Sequence, residues 1–234
     1  MAQETLEKFF EKLEGENKEN NLKQTEIGLI PEDWKMVRLG EVVEFSRKPR
    51  SLRIRENDEI PFIPMELIPD SGKYASWLIK KYSEISSGTF VFKDDIIVAK
   101  ITPSFENGKQ ALLTNLPMEF GYATTEVLAF HPKNENQLIR EYIFEYLRLP
   151  NIRKDLTSKM EGTTGRKRLP RNALENLPIP LPPSKEQKQI AHILSTVDRK
   201  IEVEQRRKQI LKELFKTMLH KLMSGEIRLK EVEI

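Results

Sequence analysis

Positive charge in this chain gathers on three short stretches that helices and strands would not favour. Arg47, Lys48, Arg50, Arg53 and Arg55 place five bases within nine residues with no acid among them, and Pro49 argues against a regular helix there. Arg166, Lys167, Arg168 and Arg171 follow Gly162-Thr163-Thr164-Gly165, a run suited to a loop that folds against a phosphate backbone. Lys100 and Lys109 flank Ile101-Thr102-Pro103-Ser104-Phe105-Glu106-Asn107-Gly108, rich in hydroxyl and amide groups. Lys and Arg neutralise phosphates and release counterions, while Thr, Asn and Arg side chains read base edges. The expected contacts to double-stranded DNA are Arg47, Lys48, Arg50, Lys100, Thr102, Asn107, Lys109, Arg166, Lys167, Arg168 and Arg171, with the whole Arg47–Arg55 stretch steering at long range. Charge runs also occur on ordinary solvated surfaces, so it is their joint presence on glycine- and proline-shaped loops that favours DNA.

Catalytic chemistry is harder to find. A metal-dependent nuclease needs acids to hold a divalent cation and a lysine near the attacked phosphate. Asp94 and Asp95 precede Lys100, but Val98 and Ala99 stand where a carboxylate would be needed. Glu186-Gln187-Lys188 has suitable residue types, yet it falls on a first helical turn, where acids are expected for dipole reasons. No glycine-rich cofactor loop, no Asn- or Asp-Pro-Pro-aromatic motif and no Gly-x-x-x-x-Gly-Lys-Ser/Thr loop occurs. His131, His192 and His220 are scattered. With no cysteine, disulfides, thiolate zinc sites and thiol nucleophiles are excluded. The expectation is a chain without catalytic residues, metal or cofactor of its own.

The elements that must position the charged loops read as mixed α+β. Phe90-Val91-Phe92, Ile96-Ile97-Val98-Ala99 and Val127-Leu128-Ala129-Phe130 are strand signals separated by turn residues. Met36 to Phe45 reads as strand or short helix after a turn at Ile30-Pro31-Glu32-Asp33-Trp34. Gln137 to Leu149 reads as a helix ended before Pro150, with a second short helix at about 151–160. Residues 1–25 carry six acids against four bases, with Leu6, Phe9, Phe10 and Leu13 at helical spacing, so an amphipathic helix and connector are expected there. The domain organisation is therefore 1–25, a target-reading body over 26–178, and a helical segment over 179–234.

Leu177-Pro-Ile-Pro-Leu-Pro-Pro-Ser-Lys-Glu-Gln187 reads as a stiff extended spacer that stops at a helix start, Ser184 and Gln187 having capping-box spacing. No proline or glycine interrupts 184–224, which at about 1.5 Å per residue makes a helix of roughly 60 Å. Gly225 supplies a C-cap. The seam positions are Ile190, Leu194, Val197, Ile201, Glu204, Lys208, Leu211, Phe215, Met218 and Leu222, eight of ten apolar at alternating spacings of four and three. Glu204 and Lys208 form a polar layer spaced for a helical ion pair. So long an apolar seam points to a partner helix, the alternative being a long amphipathic helix packed on its own domain.

Composition fits a soluble protein, with 38% hydrophobic and 32% charged residues and a net charge of only +3. No stretch resembles a membrane span or a secretory signal, so a cytoplasmic location is expected.

Lys100-Ile-Thr-Pro-Ser-Phe-Glu-Asn-Gly-Lys109, Gly121-Tyr-Ala-Thr-Thr-Glu-Val-Leu-Ala-Phe130, Gly165-Arg-Lys-Arg-Leu169, the proline stretch into Ala191 and Leu222-Met-Ser-Gly-Glu-Ile-Arg-Leu229 occur in order, beginning from Ile30–Trp34. Together they resemble the specificity subunit of type I restriction-modification systems. That resemblance implies a target-recognition domain reading half of a bipartite DNA site and a long helix serving as spacer and docking surface for methyltransferase and restriction subunits. It also implies that S-adenosylmethionine, ATP and magnesium belong to those partners. Each signature occurs once here, where family members usually carry two, so the resemblance implies a half-length form. Two copies would then pair as a homodimer through their helices, as an antiparallel coiled coil. The competing expectation is a scaffold whose body binds protein rather than DNA, and salt-sensitive duplex binding separates the two.

Overall fold

The computed structural model describes residues 21–228 except residue 164. The expected amphipathic helix around Leu6–Leu13 lies outside the described residues. Two compact units are present, divided after Ile190.

The elements in chain order are β1 (Leu22–Thr25), β2 (Gly28–Pro31), β3 (Lys35–Arg38), α1 (Leu39–Val42), β4 (Val43–Phe45), β5 (Glu59–Ile63), β6 (Leu78–Lys81), β7 (Thr89–Phe92), β8 (Ile96–Ala99), β9 (Gln110–Leu112), β10 (Phe120–Ala123) and β11 (Val127–Pro132). They continue with α2 (Arg140–Tyr146), α3 (Pro150–Ser158), α4 (Arg171–Glu175), β12 (Pro178–Leu181) and α5 (Ser184–Met223). The fold is α+β, as expected. The three apolar runs are β7, β8 and β11. Met36–Phe45 holds both of its alternatives in succession, strand then helix then strand.

Two four-stranded sheets, in the orders β6-β5-β10-β7 and β4-β11-β8-β9, form the first unit together with the two-stranded pairs β1-β2 and β12-β3. The second sheet is buried on both faces, which is why Ile96–Ala99 reads as a continuous apolar run rather than an alternating one. Ile96 and Val98 join Phe130 and Leu112 in a core completed by α2, α3 and α4 through Tyr142, Phe144, Ile152, Leu156 and Leu174. Ile97, Val127 and Ala129 point the other way and pack with Ile63, Val91 and Ala123 of the first sheet. On the far face of that first sheet, Ile60, Phe90 and Tyr122 are covered by Leu52 and Ile54.

The proline stretch differs from its expected role as a spacer. Pro178–Leu181 is a strand paired antiparallel with β3, Ile179 opposite Val37 and Leu181 opposite Lys35. The two prolines cost the ladder nothing, because at alternate positions their ring nitrogens turn away from β3. The outward carbonyls are taken by helix α2: Tyr142 donates to Pro180 at 2.8 Å and Tyr146 to Pro178 at 3.0 Å. Four helical residues advance ~6 Å and two strand residues ~6.6 Å, so one repeat matches the other. Burial raises both phenols, Tyr146 to about 12, so they remain hydrogen-bond donors at neutral pH.

Ser184 and Gln187 do not make the expected capping box. The Gln187 carboxamide is fully buried. It accepts from the Ile139 amide at 2.8 Å and donates to Gln137 and Pro182 carbonyls at 2.9 and 2.8 Å. Helix α5 thus begins as part of the core. Its 40 residues end at Met223, and Gly225 follows at φ +75°, the left-handed stop expected. No described helix is long and apolar enough to cross a membrane.

Candidate nucleic-acid interface

The register of the central sheet collects the charged loops. Ala99 lies opposite Val127, Val98 opposite Gln110, and Phe45 opposite Phe130, all in antiparallel pairs. The residues that follow β4 and β8, and those that precede β11 and β9, therefore leave the sheet at one end. There sit the Ser46–Arg50 exit, Lys100, Glu126 and Lys109. The third cluster is stitched to the same end by backbone: the Thr102 amide donates to the Lys167 carbonyl at 3.0 Å and the Leu169 amide to the Lys100 carbonyl at 2.7 Å. Arg171 follows with its guanidinium 4.1 Å from the Phe45 ring centre. Three stretches far apart in sequence share one corner.

Local sequence shapes each loop. Leu52 and Ile54 anchor the first stretch on the aromatic sheet face, so alternation leaves Arg53 and Arg55 exposed between them. The second loop hangs on Phe105, only 1% exposed, whose carbonyl accepts from Arg153 at 3.2 Å. Burial pulls the Arg153 guanidinium down to about 10, still charged at neutral pH, and it also bonds Gln110. Gly108 closes that loop at φ +91°, where a side-chain carbon would come within 3.0 Å of the Asp70 carbonyl. Gly162, at φ +125°, would place one 2.6 Å from the Arg166 carbonyl, so the turn into the third loop requires glycine.

The expected contact residues fall into two groups. Arg47, Arg50, Arg166 and Lys167 are exposed and Lys100 is half-buried, and none of the five makes an ion pair with the described residues. Asn107 is exposed on the rim of a groove of about 500 Å3 shared with Arg148, Arg153 and Lys154. The others are already engaged. Lys48 donates to the Tyr82 hydroxyl at 3.2 Å, which holds that phenol below its ordinary range. Thr102 donates to Glu106 at 2.9 Å, and Arg171 to Glu175 at 2.7 Å. Arg168 makes two hydrogen bonds to Glu126. Lys109, 17% exposed, donates to the Ile68 carbonyl and lies 3.5 Å from the Asp70 carboxylate. That lysine holds a neighbouring loop and does not face outward freely.

Sequence reasoning missed Glu126, an acid inside the basic corner, and assigned Gln187, the root of α5, to a cap instead. Glu126 stands in a Thr-Thr-Glu run with no local sign of pairing, and only the meeting of two loops gives it a partner. The rejected catalytic candidates have structural duties. Asp95 is fully buried, accepts from the Phe92 amide at 2.8 Å and lies 2.8 Å from His131 Nδ1. That contact raises the His131 pKa. Ser46 Oγ approaches the same Nδ1 at 3.3 Å, so hydroxyl and carboxylate share one ring nitrogen instead of bridging two as a nucleophilic triad requires. Glu186 accepts from the Trp34 indole at 3.0 Å.

Of the seam residues, Ile190 is half-buried against the body's core. From Leu194 onward the second unit shows its apolar face: Leu194, Val197, Ile201, Leu211, Phe215 and Met218 are all exposed, Phe215 at 69%. Leu222 is half-buried. Glu204 does not pair with Lys208 as expected. It lies 3.9 Å from Arg207, both about 70% exposed, a contact worth little.

This α+β arrangement recurs in solved structures. A crystal structure of an HsdS subunit from Thermoanaerobacter tengcongensis superposes with TM-score 0.60 at 24% identity, covering 88% of this chain and 52% of that one. A type I restriction-modification S subunit from M. genitalium gives 0.55 at 17%, covering 92% and 48%. Residues 31–213 match the model of the type I restriction modification DNA specificity domain, and the chain belongs to that family. It is 37% identical over 165 residues to the type I restriction enzyme EcoAI specificity subunit of Escherichia coli, covering 69% of this chain and 27% of the relative. It is 32% identical over 217 residues to the putative MjaX specificity subunit of Methanocaldococcus jannaschii, covering 88% and 49%. The chain thus spans between about a quarter and a half of these curated relatives.

Proposed function

We propose that the body reads one half of a bipartite DNA site through its charged corner and that α5 docks methyltransferase and restriction subunits. The observation that carries this reading is the convergence of three basic stretches at one end of a sheet, where Arg47, Arg50, Lys100, Arg166 and Lys167 make no ion pair with the described residues. Phosphate contacts would set register, and Thr102, Asn107, Arg168 and Arg171 are the side chains suited to base edges. Two copies pairing along the exposed seam from Leu194 to Leu222 would present two such corners with twofold symmetry, so the site would be an interrupted palindrome. A helix of about 60 Å would set its gap. This chain contributes the address. The methyl donor S-adenosylmethionine, and the ATP and magnesium that drive translocation and cutting, would be held by partners, and the target base would be flipped into a partner's pocket. The setting would be the cytoplasm, where the DNA is.

The test has two readouts. Duplex binding by the purified chain should fall steeply between about 50 and 200 mM salt. Mapping methylated adenines in DNA exposed to the chain with a methyltransferase subunit should reveal a symmetric interrupted site. Absence of duplex binding at low salt, with and without that subunit, would favour the scaffold reading instead.

A further inference from the structure

A carboxylate in the middle of a basic corner is a liability for phosphate binding, since it repels the backbone the neighbouring cations attract. Glu126 occupies that position. Both its oxygens are used: Arg168 Nε donates to one at 3.2 Å and Nη2 to the other at 2.7 Å. The pair is held by backbone as well as side chains. The Glu126 carbonyl accepts from the Lys100 amide at 2.9 Å, and the Lys100 carbonyl accepts from Leu169, next to Arg168. Arg168 itself is threaded between Ile101 and Glu161 by bridges on both sides. Within the three basic clusters, Arg168 is the one described guanidinium gripped along an edge by a carboxylate; Arg171 shares a single bond with Glu175.

The chemistry of the guanidinium gives this grip a direction. Binding through the Nε–Nη2 edge fixes the plane and leaves the Nη1–Nη2 end fork free, and the Arg168 side chain is 65% exposed. That end fork matches the O6 and N7 acceptors of guanine in the major groove. A flexible arginine would instead settle on phosphates, which are nearer and charged. We infer that Glu126 is a positioning residue that turns Arg168 from a phosphate clamp into a reader of one guanine per half-site. This rests on the DNA-reading role proposed above and adds to it a specificity determinant of the same charge sign as its ligand.

The test is selection from a randomised duplex library by the full chain, comparing the natural protein with Glu126→Gln and Arg168→Lys. The natural protein should enrich a motif with a guanine at one half-site position. Both variants should retain the rest of the motif and lose the preference at that position by roughly tenfold. Affinity of Glu126→Gln for unrelated duplex should not fall, because a repelling charge has been removed. Unfolding midpoints show whether Glu126→Gln is folded, and Arg168→Lys, at an exposed position, keeps the question answerable if it is not. An unchanged guanine preference in Glu126→Gln, or in Arg168→Lys, overturns the inference. If the natural protein enriches no motif, with or without a methyltransferase subunit present, the DNA-reading role itself fails and this inference with it, a result visible before any variant is tested.

Discussion

At the loop end of the central sheet, apolar side chains are covered and charged ones displayed, whereas α5 beyond residue 191 displays apolar side chains along its length. The first region is complete by itself: Leu52, Ile54 and Phe105 bury what lies beneath the charges, and backbone hydrogen bonds between the Lys100 and Leu169 strands fix where the charges stand. Among the described residues the distal helix has no core of its own. Isolated helices gain most of their stability from packing an apolar face, and Leu211, Leu214 and Phe215, at 54–69% exposure, have little such packing among the described residues. One region displays charge over a covered core; the other displays an apolar face that the described residues leave exposed.

Breaking the seam should give the largest effect. Leu211→Asp with Phe215→Asp removes two apolar anchors and places charge in the contact, at about 4 kcal/mol or roughly a thousandfold in association. Light scattering should show the natural chain at twice its monomer mass and the variant as a monomer at micromolar concentration, with the body's melting unchanged. A natural chain that is monomeric there would remove the pairing half of the comparison.

The root of α5 is the next test. Gln187→Ala strips three hydrogen bonds, two of them buried, and orphans the Ile139 amide, so urea unfolding should report a loss of about 3 kcal/mol. An effect within experimental error would mean that the helix is not anchored as described.

Smaller effects should separate displayed from engaged lysines. Lys100→Ala and Lys167→Ala should each flatten the salt dependence of duplex binding by about one unit of slope. Lys109→Ala should leave the slope alone and lower the melting temperature, since its ammonium serves Ile68 and Asp70. Equal slopes for all three would erase the distinction.

The smallest expected effect is on pH. Asp95 holds the folded-state pKa of His131 above its ordinary 6.5, burial opposing it. Folding therefore favours the protonated ring: the stabilisation is fully present below the unfolded value and is lost as pH rises through the raised folded one. Urea midpoints should fall across that window, and His131→Gln should flatten the decline. Glu44, which also raises this pKa, and Arg140, which lowers it, face the same ring and set the size of the effect.

Much of the fold was legible because its signals are local. The runs at β7, β8 and β11, the stop before Pro150, the uninterrupted α5 and the glycine beyond it each follow from short-range rules of periodicity, φ restriction and capping. The misreadings share a different cause. Pro178 and Pro180 do exclude helix, but whether an extended segment stands free or pairs with β3 depends on a strand about 140 residues earlier in the chain. Ser184 and Gln187 have capping-box spacing, yet a carboxamide goes to whichever buried amide lacks a partner, and Ile139 supplied one. The same holds within the site. Which residues carry charge was readable; which of those charges are already neutralised was not.

The sequence by itself determined the residue types, the loops that bear them and the apolar seam of the long helix, because composition and periodicity act over a few residues. Only the tertiary structure decided that three basic loops meet at one sheet end, that the Lys109 and Arg168 side chains are paired while those of Lys100 and Lys167 make no ion pair with the described residues, and that α5 is rooted through Gln187. Those outcomes are set by strand register and by long-range hydrogen-bond partners, which no local stretch of chain contains.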